Sequence, residues 1–315
     1  MKIAYFGSGA FGLPTLELLL REHRILLGIT QPDRPAGRGR VPAATPVAEA
    51  LARAGVPTIK PVDVNAGPVL GELRSLDVDA FVVIAFGQKI GPALLQDRFA
   101  INLHGSILPR HRGASPVNAS ILAGDSEAGV SVITLAQRMD AGEILAVRST
   151  PIDPLETAGE LHDRLALLGP AAVAEVLAAR AAGTLRPRRQ DEGLATRAPK
   201  LSRSDCWLRF EDPATQVQRR VHGLSPWPGC AVTIAGVEVR LLRVAVVDAE
   251  GQALPGRIQV QGAIRCGRGA ILPIDVQPAG GRPMPYEAFL RGHRPELGEE
   301  VRSVVPAPTR EGGRS

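Results

Sequence analysis

Apolar positions along the first 150 residues fall into short solid runs separated by stretches of helical period. Lys2 to Phe6 reads as a buried strand, and Gly7-Ser8-Gly9-Ala10-Phe11-Gly12 follows it directly. Leu13 to Arg21 then reads as a helix with Pro14 in its first turn, a position that tolerates proline. Ile25 to Thr30 gives a second strand, which runs into a long loop, Gln31 to Arg40. Pro46 to Ala54 predicts a helix stopped by Gly55, Thr58-Ile59 a short strand, and Leu70 to Leu76 another helix. Val78 to Phe86 is the most apolar strand pattern in the chain and belongs at the centre of a sheet covered on both faces. Phe99 to Leu103 and Val130 to Leu135 read as further strands. Strands alternating with helices predict an α/β fold with a doubly wound, mostly parallel sheet.

Beyond residue 150 the texture changes. Thr157-Ala158-Gly159-Glu160 is a capping-box pattern that opens a helical stretch through Ala182. Arg186 to Arg203 is polar, basic and without hydrophobic period, so 186–204 reads as a linker. From Cys206 onward, Val232 to Val244, Arg257 to Val260, Ile264 to Cys266 and Ala270 to Val276 read as short strands punctuated by Gly and Pro. They predict a small β-barrel, with Val217 to Leu224 as a helical insertion leading to Ser225-Pro226-Trp227-Pro228-Gly229. Trp227, between two prolines, is read as a core plug. The stretch after Val301 is read as losing order. The boundaries are 1–185, 186–204, 205–308 and a disordered tail at 309–315. Two domains suit 315 residues, since single cores stop growing near ~250.

Composition narrows the class. Hydrophobic residues make up 44% but aromatics only 3%, so the cores are aliphatic. A formal charge of +5 permits an anionic partner without requiring one. Cys206, Cys230 and Cys266 are widely spaced and lack any CxxC pairing, which suggests neither a disulfide framework nor a metal site. MKIAYFG leads straight into a strand, and no apolar stretch is long enough to span a bilayer. A cytoplasmic, monomeric enzyme without membrane contact is expected.

Candidate chemistry gathers at two places. If the strand from Phe99 continues to His104, period two puts Asn102 and His104 on one face, and the chain then breaks at Gly105 and Pro109. Open α/β sheets place their chemistry at such strand ends. Asp140 lies beyond the Val130 strand, before the turn signal Ala141-Gly142. A carboxylate there can orient an imidazole, and Asn102 with His104 can donate to a developing oxyanion. By residue type alone, a satisfied polar strand end is the better reading. The glycine loop at Gly7 matches a dinucleotide fingerprint, which keeps an NAD(P)-dependent oxidoreductase as an alternative. That fingerprint asks for an acidic residue about 20 positions on, and Asp33 comes late and behind Pro32.

The residues around the trio carry a resemblance. Asn102-x-His104-Gly105-Ser106-x-Leu108-Pro109, then Arg112-Gly113, then Asp140-x-Gly142, resembles the folate-dependent formyltransferases. The resemblance implies a Rossmann-like formyltransferase fold in which Asn102, His104 and Asp140 are the catalytic trio. It also implies that Ser106, Ile107, Leu108 and Pro109 help shape a folate pocket. Phe86, Gly87, Gln88, Lys89 and Ile90 resemble that family's AYGQIL loop, whose backbone meets the pterin ring, with Phe86 in place of the commoner Tyr and Lys89 as a further departure. TQPDRPAGRGR is similar to a loop of the methionyl-tRNA formyltransferases that reaches the acceptor end of the tRNA. Arg38 corresponds to its most important arginine, Arg34 and Arg40 to additional phosphate contacts, and Arg40 stands where lysine is common. The Leu224–Gly229 run resembles that family's C-terminal PWPG segment in an OB-like barrel. The resemblance thus implies 10-formyltetrahydrofolate as donor, initiator methionyl-tRNA as acceptor, formylmethionyl-tRNA as product, and no metal. The nearest rival in the family, a formyltransferase of amino-sugar nucleotides, is opposed by the arginine loop and the PWPG run. Which of His104 and Asp140 serves as base stays open.

Overall fold

The computed structural model describes residues 1–36, 41–249 and 253–305. The chain divides into two units, one of Met1–Pro116, Ala128–Thr150 and His162–Arg197, the other of Val117–Glu127, Pro151–Leu161 and Ala198 onward.

The first unit begins with β1 (Lys2–Gly7), α1 (Leu13–Glu22) and β2 (Arg24–Ile29). A hairpin of β3 (Arg34–Ala36) and β4 (Val41–Ala43) follows, then α2 (Pro46–Arg53), β5 (Thr58–Ile59), α3 (Gly67–Ser75), β6 (Ala80–Ile84) and α4 (Pro92–Leu95). Next come β7 (Ala100–His104), β8 (Arg112–Gly113), α5 (Pro116–Ala123), β9 (Glu127–Thr134) and β10 (Ile144–Pro151). α6 (Ala158–Ala166), α7 (Gly169–Ala181) and β11 (Arg197–Ala198) complete this stretch. Seven strands make one sheet in the order β10-β9-β7-β6-β1-β2-β5. β1 runs parallel to β2 and β6, β6 to β7, and β2 to β5, while β9 is antiparallel to β7. The sheet is therefore mostly parallel and Rossmann-like, and β6 is its middle strand with all five residues buried.

Period two explains the double cover. Ala4 and Phe6 of β1 join Leu27, Ile29, Phe81 and Val83 in one cluster, while Ile3 and Tyr5 on the alternate face are equally buried. Each such large side chain contributes about 1.5–3 kcal/mol through burial. α2 starts where Thr45 Oγ1 accepts the Ala48 N–H at 3.1 Å. α6 starts on the capping box read from sequence, with Thr157 N–H donating to Glu160 Oε2 at 2.9 Å.

Two local expectations change. Gln31 to Arg40 is not wholly loop: Arg34–Ala36 pairs with Val41–Ala43, with Pro35 opposite Pro42. Prolines fit a two-stranded ribbon whose outer N–H groups need no partner, yet they make the sequence look like coil. β10 had no sequence signal because its burial is irregular beyond Val147.

In the second unit α8 (Ala214–Gly223) precedes β12 (Cys230–Ile234), β13 (Val237–Val247), β14 (Ile264–Arg265) and β15 (Ala270–Pro278). β16 (Met284–Pro285), α9 (Tyr286–Gly292) and β17 (Arg302–Ser303) follow. The path β14-β15-β13-β12-β17 is antiparallel and curls into a half-barrel consistent with an OB-like fold. β12 and β13 join through Ala235-Gly236, both at positive φ (49° and 71°), the conformation that tight hairpin turns require. Alternate residues Val232, Ile234, Val239 and Leu241 point into a core shared with Val217 and Val221 of α8 and Phe289 of α9. α5 belongs here too, with Asn118 Nδ2 donating to the Gly223 carbonyl at 2.7 Å.

Three readings are corrected in this unit. Arg257 to Val260 forms only isolated bridges, Arg257 to Glu300 and Ile258 to Ile264, because glycine-led turns flank it. Trp227 is not a core plug: it is 60% exposed, its ring left outside by the turn that ends at Gly229. Arg302–Ser303 is an ordered edge strand on β12 rather than the start of a tail, while residues 306–315 lie outside the described residues. Among the described residues, no helix is long and apolar enough to cross a membrane.

His222 gives this unit a pH signature. Its ring is 2% exposed, and Nε2 accepts the Val244 N–H at 3.0 Å. Burial first, then the nearby Arg243 cation, lower its pKa to about 4. The unfolded chain takes up this proton below about 6.5 and the folded chain does not, so the contribution is complete above that value. It declines as pH falls toward 4, by about 3 kcal/mol in all. Denaturant titrations at pH 7.5 and pH 5 should show the wild type losing about 2 kcal/mol more than His222→Gln over that interval. Equal losses would show that His222 does not titrate differently in the two states.

Candidate active site

β6 and β7 are adjacent and parallel, with Val83 opposite Asn102, so the loops after both strands leave the same edge of the sheet. Asn102 and His104 share a face of β7, as period two requires, and both reach Asp140 on the turn between β9 and β10. Asn102 Nδ2 donates to Asp140 Oδ1 at 3.5 Å. His104 Nδ1 stands 3.7 Å from the same oxygen, with both side chains largely buried (6% and 12% exposed). Asp140 Oδ2 accepts the Gly113 N–H at 2.9 Å. The structure thus brings the three sequence-predicted residues together.

The orientation of His104 comes from elsewhere than the expected carboxylate. Nε2 donates to the His111 carbonyl at 2.9 Å, so that nitrogen carries a proton. Nδ1 then faces Asp140 Oδ1 across 3.7 Å, a place where one proton can be held between the two side chains.

Asp140 is itself held in an uncommon conformation, φ 52°, and His111 in another, φ 59°. Gly142 is obligatory beside them, because a Cβ there would lie 1.7 Å from the Thr134 carbonyl oxygen. Thr134 N–H bonds the Glu143 carbonyl at 3.0 Å, closing this hairpin.

Of the residues expected to meet folate, most side chains face inward. Phe86, Ile90 and Leu108 are 2%, 5% and 4% exposed. Gln88 braces the loop, accepting the Val64 N–H at 2.8 Å and donating to the Pro61 carbonyl at 2.9 Å. Ser106 Oγ donates to the Arg110 carbonyl at 2.7 Å, and Ser131 Oγ ties the Ser106 carbonyl to the Leu108 N–H at 2.7 and 3.0 Å. Gly87 and Lys89 are exposed, and Ile107 and Pro109 half-buried. Gly87 has φ 82°, which suits glycine at a turn that brings its backbone outward.

The glycine loop after β1 has a packing explanation. A Cβ at Gly7 or Gly12 would fall 2.6 or 2.4 Å from the Tyr5 side chain, whose hydroxyl donates to the Gly12 carbonyl at 3.0 Å. Ser8 and Gly9 N–H groups donate to the Ala85 carbonyl at 3.2 and 3.3 Å. Both amides are thus satisfied within the loop, and the glycine pattern is accounted for by packing. Ser8 Oγ and Gln31 Nε2 both donate to the Phe86 carbonyl, at 3.1 and 3.2 Å, and Arg34 donates to Gln31 Oε1 at 3.1 Å. Arg34 is exposed at the start of β3. Arg38 and Arg40 lie outside the described residues.

Sequence reasoning missed a group of residues that close around the trio from 190–196. Gln190 Nε2 donates to the Asp140 and Gly142 carbonyls at 2.8 and 2.7 Å. Arg112, only 8% exposed, pairs with Glu192 at 3.0 Å, and hydrogen bonds from Arg112 and then Arg138 hold the Glu192 carboxyl down at about 2. The one signal available was QDE within the basic stretch, a polar triplet with no period to place it.

The formyl transferase family matches residues 1–177, and the formyl transferase C-terminal domain matches residues 200–294. A methionyl-tRNA formyltransferase of Heliobacterium modesticaldum is 38% identical over 310 residues, covering 93% of this chain and 98% of that protein. That of Methylococcus capsulatus is 39% identical over 299 residues, covering 93% and 97%. Among solved structures, HypX from Aquifex aeolicus in complex with tetrahydrofolic acid aligns with a TM-score of 0.61 at 18% identity. That match covers 92% of this chain and about half (47%) of HypX. An N-formyltransferase from Helicobacter canadensis, in complex with folinic acid and dTDP-3-aminofucose, aligns with a TM-score of 0.67 at 13% identity, covering 87% and 98%. The two solved structures share its fold, and on sequence this chain belongs to the methionyl-tRNA formyltransferase family.

Proposed function

We propose that this chain transfers the formyl group of 10-formyltetrahydrofolate to the α-amino group of initiator methionyl-tRNA in the cytoplasm, with Asn102, His104 and Asp140 as its catalytic residues. The observation that carries this reading is the meeting of those three side chains at the end of β7, in a chain alike to methionyl-tRNA formyltransferases along nearly its whole length. The tetrahydrofolic and folinic acid complexes of the structural neighbours support a folate donor.

The amine attacks the formyl carbon as the free base, and with a pKa of about 7.7–8.0 much of it is within reach of deprotonation at neutral pH. The new C–N bond leaves an extra proton on that nitrogen and negative charge on the formyl oxygen. Nδ1 of His104, facing Asp140, receives the proton directly or through water and returns it to the departing folate nitrogen as the old C–N bond breaks. Asn102 Nδ2 steadies the oxygen, a contribution worth roughly 10²- to 10³-fold in rate. Once protonated, His104 adds a second donor, since Nε2 stays on the His111 carbonyl throughout. The folate ring would rest on Gly87 and Lys89 and on the Ile107–Pro109 loop. The loop beyond Arg34 would grip tRNA phosphates through Arg38, with Arg34 and Arg40 assisting, as guanidinium groups do bidentately.

Arg38→Ala tests the acceptor half of the reading. Its kcat/KM with methionyl-tRNA should fall about 10-fold or more, while the affinity for a folate analogue stays at the wild-type value. Unchanged kinetics on charged tRNA would reduce the arginine loop to a solvated surface feature.

A further inference from the structure

We propose that Gln190 and Thr196 are positioning residues that set Asp140 and His104 in their working geometry, an inference that rests on the catalytic reading above. Asp140 needs such help. Its φ of 52° lies in the left-handed region that side-chain-bearing residues adopt uncommonly, and the turn that carries it ends at a glycine. Gln190 grips this turn by its backbone, donating to the carbonyls of Asp140 and Gly142 at 2.8 and 2.7 Å. Its amide has only one workable orientation. Oε1 accepts from Arg112 Nε and Nη2 at 3.0 and 2.8 Å, and a guanidinium cannot accept a bond in return. Arg112 is fixed in turn by two bonds to Glu192, both 3.0 Å.

The same segment holds the histidine side. Thr196 Oγ1 accepts the His111 N–H at 2.8 Å, and the Thr196 carbonyl accepts the Arg112 N–H at 2.9 Å. His111, at φ 59°, presents the carbonyl that fixes the His104 ring and its tautomer. One short polar segment therefore braces the backbone beneath Asp140 and the backbone that orients His104. A brace of this kind acts on rate rather than affinity, because misplacing reacting groups by an ångström can cost about 10²-fold.

Gln190→Glu is the decisive variant: it preserves size and the acceptor for Arg112 but turns a carboxylate oxygen toward two carbonyls. Its kcat should fall about 10- to 100-fold, with KM for 10-formyltetrahydrofolate and for methionyl-tRNA within about 2-fold of wild type. Placed on Asp140→Asn, it should lower the residual rate by less than about 2-fold, since the group it positions is already disabled. Full activity in Asp140→Asn would defeat the catalytic reading itself. A collapsed Asp140→Asn beside an unimpaired Gln190→Glu, or losses that multiply in the double variant, would overturn the positioning role alone. If Gln190→Glu does not fold, Thr196→Val combined with His104→Ala runs the same cycle from the histidine side, with non-additive losses expected and multiplicative losses contrary.

Discussion

Asp140→Asn is expected to fold normally and to retain less than about a hundredth of the wild-type rate of formyl transfer, the loss typical of a proton-transfer group. The substitution is nearly isosteric, and Asn Oδ1 can still accept the Gly113 N–H that Asp140 Oδ2 accepts at 2.9 Å. What disappears is the negative charge 3.7 Å from His104 Nδ1, and with it the shared proton site. His104→Ala should lose at least as much activity. It is a less clean variant, because the ring is buried (6% exposed) and its removal strands the His111 carbonyl. Its unfolding midpoint must be measured beside its rate. The double variant should be little slower than either single one, because the two side chains act as a unit. Retention of more than about a tenth of wild-type rate by Asp140→Asn would remove the carboxylate from the mechanism.

How far the sequence revealed this arrangement depended on whether a residue's partner was local. β6 was legible because five consecutive buried residues need no long-range information to be recognised. The α6 capping box was legible because both of its partners lie within one turn. Asn102 and His104 were placed on a common face by strand period, and the resemblance to the formyltransferases joined Asp140 to them. The ring's attachment to the His111 carbonyl was hidden, since it depends on a left-handed residue within a turn whose sequence does not require one. Gln190 and Thr196 were hidden for a related reason. Their stretch is polar without period, and its role arises only when 186–197 folds back against residues far away in sequence. Trp227 was misread because flanking prolines suggested confinement, whereas a turn confined at both ends can equally hold a large ring outward. The glycines at Gly7 and Gly12 matched a dinucleotide fingerprint that Asp33 did not complete, and a single tyrosine ring accounts for both.

The second large effect concerns choice of acceptor. The proposed site, with a basic loop for phosphates and a proton site for an α-amine, should discriminate by the whole acceptor, not by the amine alone. An amino-sugar nucleotide offers an amine and a diphosphate, but nothing to extend along a tRNA acceptor stem. The expected preference is therefore large, on the order of 10²-fold or more in kcat/KM. Tetrahydrofolate chemistry is common to both reactions, so the donor cannot distinguish them and the acceptor must. The direct measurement supplies wild-type protein with formyl-labelled 10-formyltetrahydrofolate and, separately, methionyl-tRNA, glutaminyl-tRNA and an amino-sugar nucleotide, and follows label into each. Label should enter methionyl-tRNA at least about 10²-fold faster than either alternative. Faster labelling of the sugar nucleotide, or none of methionyl-tRNA, would contradict the proposed reaction.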